Sequence, residues 1–173
     1  MSIKLEDLKL IPWNDELLVR KPKLFDFQEH DAQHVCDTLF EKQRQLGGVG
    51  LSANQVGLDM KIFVFGDGKE LKRYIINPEI IHVSDEMVTS REGCLSMPGL
   101  WLDVKRPVEC TASYQTVDGD NVTETFKELA SVVFLHEYDH MLGQNFTQRV
   151  SKFKLDRAVK KLKKDAKKKG IVE

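Results

Sequence analysis

The sequence predicts an α+β domain: antiparallel β-sheets packed around a central metal-binding H-E-x-x-H helix, with an N-terminal helix and a C-terminal helix. Three observations carry this. Helix start signals followed by 3.6-residue periodicity occur near residues 26, 125 and 151. Between residues 61 and 126, short β-branched and aromatic runs alternate with Gly, Asn, Asp and Pro turns. The motif itself, His136-Glu137-Tyr138-Asp139-His140, lies in the middle helical stretch. At 173 residues, 41% of them hydrophobic, the chain can bury one substantial core. No apolar run approaches the roughly 20 residues of a spanning helix, so one soluble domain with no membrane role is expected.

Residues 10–18 are expected to be irregular, with Pro12 and Asn14-Asp15 supplying turn chemistry. Asp26-Phe27-Gln28-Glu29 has the form of a capping box and should open a helix that runs to Gly47. Ala32, Val35, Cys36, Leu39, Phe40 and Leu46 would be its buried side, and His30 and His34 surface residues. The following segment, Gly47-Gly48-Val49-Gly50-Leu51-Ser52-Ala53-Asn54-Gln55, is too glycine-rich for a simple connector. Its glycines permit positive φ and let a ligand approach the backbone, but no G-K-[ST] makes it a phosphate loop.

Residues 62–65 and 71–76 read as strands around the Gly66-Asp67-Gly68 turn, with Asn77-Pro78 closing the hairpin. Residues 79–83 and 87–90 read as a second short pair around Ser84-Asp85. Residues 108–116 and 122–126 flank Asp118-Gly119, the clearest hairpin turn in the chain.

Thr125-Phe126-Lys127-Glu128 resembles a second capping box, and Leu129, Val132, Val133, His136 and His140 share one face of the helix it would open. Histidines four apart can reach one divalent metal, and Glu137 beside them could take a proton from an activated water and return it. The plainer alternative is a helix with two satisfied surface histidines. A catalytic site needs a third protein ligand and an open position. Where some zinc proteases place a third His, this chain has Phe146; no His follows His140, and the only later Glu is Glu173. Asp156 and Asp165 lie in a basic segment, so the third ligand should come from upstream. Cys94, bracketed by Gly93 and Pro98-Gly99, is the first candidate, its alternative being an ordinary buried thiol. His82 is the competing ligand, and Cys110, alternating with apolar residues, reads as core.

The formal net charge of −1 hides an asymmetry. Residues 151–173 carry ten Lys/Arg and three Asp/Glu, leaving 16 basic and 24 acidic residues in the first 150. In the tail, Leu155, Ala158, Val159, Leu162 and Ala166 form one helical stripe, and lysines crowd the remainder. A solvated helix docked by its stripe is the plain expectation. A positive field that attracts a phosphate-rich surface is the functional one. The amino terminus lacks the apolar core of a signal peptide, and three unpaired-looking cysteines favour reduced thiols, so a cytoplasmic setting is expected.

Taken together and in order, Gly48-Val49-Gly50-Leu51-Ser52-Ala53-Asn54-Gln55, Glu92-Gly93-Cys94-Leu95-Ser96 and His136-Glu137-Tyr138-Asp139-His140 resemble the three signature motifs of peptide deformylase. Segment lengths resemble the type I-like members. The resemblance implies a metal-dependent hydrolase that removes the formyl group from N-terminal N-formylmethionine of nascent polypeptides. It implies Cys94, His136 and His140 as metal ligands and Glu137 as general acid/base. Gln55 and the backbone N–H of Leu95 become donors to the oxyanion. Val49, Leu129, Val132 and Val133 would line the methionine slot, and Gly50 would pair its backbone with an extended substrate. It further implies one Fe(II) per chain, with Zn(II), Ni(II) or Co(II) as substitutes, and a ribosome contact through the C-terminal helix. Residues 1–150 are then a peptide-deformylase-like catalytic body, and 151–173 a basic helix and tail of the same domain. A monomer is expected. Ser52, Leu135 and Trp101 depart from the commonest family pattern, the last bearing on how substrate beyond methionine is held. The rival readings are another H-E-x-x-H metallohydrolase, such as an endopeptidase, and a non-catalytic ribosome-associated protein.

Overall fold

The computed structural model describes residues 3–170. Its first helix, α1 (Ala32–Gln45), is capped by Asp31, whose side chain accepts from the His34 N–H. The helix thus starts later than the capping-box reading places it. Asp26 instead closes a local turn, accepting from the Gln28 N–H through its side chain and from the His30 N–H through its carbonyl. The far end is as expected: the helix stops at Gln45, and Gly47 takes φ +72°, a left-handed conformation that glycine adopts without strain. His34 is exposed, with Nε2 2.7 Å from the Ile3 carbonyl oxygen.

A five-stranded antiparallel sheet follows, built from β1 (Gly50–Ser52), β2 (Ile62–Gly66), β3 (Lys72–Val83), β6 (Glu109–Gln115) and β7 (Asn121–Lys127) in the spatial order β1-β2-β3-β6-β7. A separate two-stranded sheet pairs β4 (Met87–Cys94) with β5 (Met97–Pro107). Asn77-Pro78 does not end a strand. Asn77 adopts φ +50° and trades two hydrogen bonds with the backbone of Phe25, so the chain passes a bulge and β3 continues to Val83. The segment 79–83 accordingly pairs with β6 and not with β4, contrary to the short pair read around Ser84-Asp85. The Asp118-Gly119 hairpin stands as expected.

Strand β2 is buried on both faces and sorts its side chains between two cores. Ile62 and Val64 join Val35, Leu39 and Phe40 of α1; Phe63 and Phe65 join an aromatic cluster around the second helix, α2 (Glu128–Met141). Phe134 of α2 is fully buried and stacks on Phe126 with ring centroids 4.7 Å apart. Helix α2 therefore sits against the sheet on one side and presents its histidines on the other. It begins without a capping box. Thr125 lies in β7, bonded to Thr111, and the Glu128 N–H donates to the Val108 carbonyl, so the strand ladder itself leads into the helix. Its end is marked by Gly143 at φ +69°, where any side chain would run into the backbone of Arg20.

The third helix, α3 (Lys152–Lys168), is capped by Ser151. Leu155, Ala158, Val159 and Leu162 pack on a third cluster formed by Cys94, Leu100, Leu102, Val104 and Phe146. The basic segment is thus part of the wall behind Cys94, with Leu162 lying directly against Gly99. No described helix is long and apolar enough to cross a membrane.

Candidate metal centre and active site

Four elements meet at one point. Strand β4 ends at Cys94, a two-residue turn of Leu95 and Ser96 follows, and β5 returns from Met97. Helix α2 supplies His136 and His140 from one face. Edge strand β1 and the 3-10 turn after it supply Gly50 and Gln55. Among the described residues, Cys94, His136 and His140 are a group whose ligand atoms all lie within 4.8 Å of one another. Cys94 Sγ is 3.5 Å from His140 Nε2. The structure does not bring His82 into this group; it is exposed on β3, while Cys110 is core.

The group fits a resident metal on chemical grounds. One sulfur and two imidazoles make a borderline-soft donor set suited to Zn(II) or Fe(II) with a position left open. Glu92 accepts a hydrogen bond from His136 Nδ1 at 2.8 Å, which leaves Nε2, on the Cys94 side, as the atom that would hold a metal. Burial pulls the His136 pKa down, but its hydrogen bonds to Cys94 and Glu92 and the charge of Glu137 outweigh this and hold it up at about 10. That surplus of negative surroundings is the condition a divalent cation satisfies. Burial, aided by the nearby positive charges, pushes His140 down to about 3, so it presents a neutral ring.

Glu137 is 4% exposed, and its Oε2 has no hydrogen-bond partner among the described residues. Burial pushes its carboxyl up to about 7, the range useful to a general base. Room for it depends on Gly50, because a Cβ there would overlap the Glu137 carboxylate. Gly50 was expected to serve through its backbone; its missing side chain has this second role. Gln55 is held by its oxygen: Oε1 accepts from the Ser52 N–H and hydroxyl, each at 3.0 Å. Its Nε2 therefore points to the site, 3.0 Å from Ser96 Oγ and 3.4 Å from Cys94 Sγ. Ser52 adds, through its hydroxyl, one of the two bonds that fix this orientation.

A cavity of about 380 Å³ opens beside these groups. Val49, Leu129, Val132 and Val133 all line it, together with Gln55, Cys94, Leu95, His136 and Glu137. Val132 is 5% exposed, whereas Val49 and Leu129 stand out at the mouth, 63% and 70% exposed. Gly50 lies just behind the lining. Trp101 is on the rim, its ring lying over Gly93 so closely that a Cβ there would be 3.0 Å away. Leu135 faces the aromatic core instead and has no part in the site.

Sequence reasoning missed the buried ion network behind the Cys/His/His group. Arg106 is 3% exposed and forks onto Glu92 (Nε to Oε1 2.8 Å, Nη2 to Oε2 2.9 Å) while Nη1 donates to Asp139 Oδ2 at 2.8 Å. Arg149 adds two donors to Asp139, Nε to Oδ2 at 3.1 Å and Nη2 to Oδ1. A signal existed: Leu100, Leu102, Val104 and Arg106 occupy alternate, inward positions of β5, so an arginine stands in a core register.

Residues 8–156 match the family model described as polypeptide deformylase. The chain belongs to the polypeptide deformylase family. A peptide deformylase of Pseudothermotoga lettingae is 39% identical over 132 residues, 76% of each chain. Peptide deformylase 1B of Arabidopsis thaliana, a chloroplastic/mitochondrial protein, is 34% identical over 155 residues; the match takes in 86% of this chain and 56% of that longer relative. Among solved structures, a plant peptide deformylase superposes with TM-score 0.83 at 32% identity, covering 94% of this chain and 93% of that one. The peptide deformylase of Thermotoga maritima gives 0.77 at 31%, covering 83% and 97%. The endopeptidase and non-catalytic readings yield to this membership. Deformylases are metal-dependent hydrolases acting on N-formylmethionyl polypeptides, and the Cys/His/His group is where this chain could hold such a metal.

Proposed function

We propose that this deformylase frees formate from the N-terminal N-formylmethionine of newly made polypeptides, using one Fe(II) held by Cys94, His136 and His140. The observation that carries the reading is the grouping of those three donors beside a cavity that Cys94 and His136 line together with Glu137 and Gln55. When bound, the metal supplies Lewis acidity, polarising the formyl carbonyl and easing deprotonation of the attacking water. Glu137 accepts that water's proton and later delivers it to the departing amine nitrogen. Gln55 Nε2 and the Leu95 N–H donate to the oxygen on which negative charge grows. Val49, Leu129, Val132 and Val133 enclose the unbranched methionine side chain and exclude water. Strand β1 is the outer strand of its sheet, so the backbone at Gly50 can take an extended substrate as an added strand. Trp101 offers that substrate an apolar surface where relatives with Arg offer charge.

The first test is formate release from formyl-Met-Ala-Ser by protein purified without oxygen, with bound metal measured on the same sample. Stoichiometric iron with activity supports the reading; active zinc protein that gains nothing on iron loading would assign zinc. Gln55→Ala is expected to lower kcat by roughly 10² to 10³, the usual cost of one oxyanion donor. An effect confined to KM would make Gln55 a binding residue.

The exposed lysines of α3 are proposed to meet the phosphate-rich ribosome surface from which the substrate emerges. Because the helix also covers the cluster behind Cys94, deletion would confuse the question, so charge is the better variable. Replacing Lys160, Lys164 and Lys167 by Glu should abolish low-salt ribosome co-sedimentation while turnover of short formyl peptides stays within a few-fold. Unchanged co-sedimentation at matched ionic strength would remove the ribosome from the proposal.

A further inference from the structure

The turn that leads into the C-terminal helix and the Cys/His/His group are joined by an unbroken chain of charge-assisted hydrogen bonds. It begins at Arg149, the last residue of the 3-10 turn Phe146–Arg149 and two residues before the cap of α3. Arg149 grips Asp139 of α2 with two donors; Asp139 accepts from Arg106 of β5; Arg106 forks onto Glu92 of β4; and Glu92 accepts from His136 Nδ1. The same 3-10 turn places the buried Phe146 ring 5.6 Å from the His136 ring. Five side chains from four elements thus end on one imidazole.

The charges explain why Arg149 matters although it is 40% exposed and touches no ligand. Arg106 alone faces two buried carboxylates. With Arg149 present, two arginines balance two carboxylates, and Asp139 is satisfied largely from the solvent side. Arg106 is then free to keep its planar fork on Glu92, the geometry that fixes both the tautomer and the angle of His136. Without Arg149, Asp139 competes for the same guanidinium, and the fork on Glu92 loosens.

We propose that Arg149 is a positioning residue for His136, acting through Asp139, Arg106 and Glu92, so that the seating of the C-terminal segment sets how tightly the metal is held. This rests on the assignment of His136 as a ligand. The test is Arg149→Gln in the full chain. Its solvent-facing side chain makes a folded product the expected outcome, and Arg149→Lys serves as the milder companion, keeping the charge but not the two-donor grip. Three quantities are read on Co(II)-loaded protein: the visible ligand-field spectrum, the rate of metal transfer to a chelator in excess, and the melting temperature. Outer-shell partners commonly cost ~10- to 100-fold in metal affinity, and Arg149 stands further out, so release faster by about tenfold is expected for Gln and an intermediate value for Lys. The spectrum should shift, and kcat on formyl-Met-Ala-Ser should fall with KM little changed. A lowered melting temperature with unaltered spectrum and release rate would overturn the proposal and leave Arg149 a structural anchor. Were the parent chain to bind no Co(II), or His136→Ala to bind it as tightly, the ligand assignment itself would fail, an outcome distinct from the first.

Discussion

Glu137→Gln is expected to keep the metal and lose about 10² to 10⁴ in kcat on formyl-Met-Ala-Ser, the span typical of a general acid–base group. Gln preserves the volume packed above Gly50, so no cavity or clash is introduced. Metal stoichiometry should stay near that of the parent, since Glu137 is outside the Cys/His/His group that could hold a metal. A second readout uses pH. A base works ionised, so kcat/KM should rise with pH through the carboxyl's own pKa. Burial places that value at about 7, and a cation beside it can only lower it. The acidic limb of the profile should therefore lie at or below about 7 and be absent from whatever activity the variant retains. Turnover within a few-fold of the parent would refute the role.

The parts of this molecule that were readable in the sequence are those in which one residue type answers to one local physical demand. The α2 register placed both histidines on one face, Asp118-Gly119 fixed the last hairpin, and Gly47 closed its helix at positive φ. Errors arose where tertiary pairing outbid a local signal. Thr125 looks like a cap, but its strand neighbours hold it in β7; Asp26 makes a turn and leaves the cap to Asp31; Asn77-Pro78 resembles a strand end, yet Phe25 stitches the bulge into a longer strand. At the site, Cys94, His136 and His140 were nameable because metal chemistry demands particular atoms. The fit of Gly50 against Glu137 depends on a contact between segments far apart in sequence, which no spacing reports.

The second large effect belongs to Arg106→Met, and it falls on stability. Met approximates the length of the stem but leaves Glu92 and Asp139 facing one another, 6% and 1% exposed, without the guanidinium between them. Breaking a buried pair by removing one partner costs about 3–5 kcal/mol, because the remaining charge stays desolvated. For a domain of this size that corresponds to a fall in Tm of roughly 10 °C. A triple variant, Glu92→Gln with Arg106→Met and Asp139→Asn, should recover part of the loss, as neutral partners remove the uncompensated charge. The pH dependence separates this cause from simple loss of packing. Burial alone would raise the Glu92 carboxyl, yet hydrogen bonds from Arg106 and His136 hold it below its ordinary 4.5 in the folded parent. A depressed folded value contributes stability that is present above the unfolded value and lost as pH falls through the folded one. In Arg106→Met the depression is relieved. Parent and variant should therefore differ most near neutrality, and the gap should narrow as pH drops below about 4.5. Urea unfolding at pH 7 and pH 4 measures it. A gap of constant size at both values would show that Arg106 acts by filling space and not by its charge.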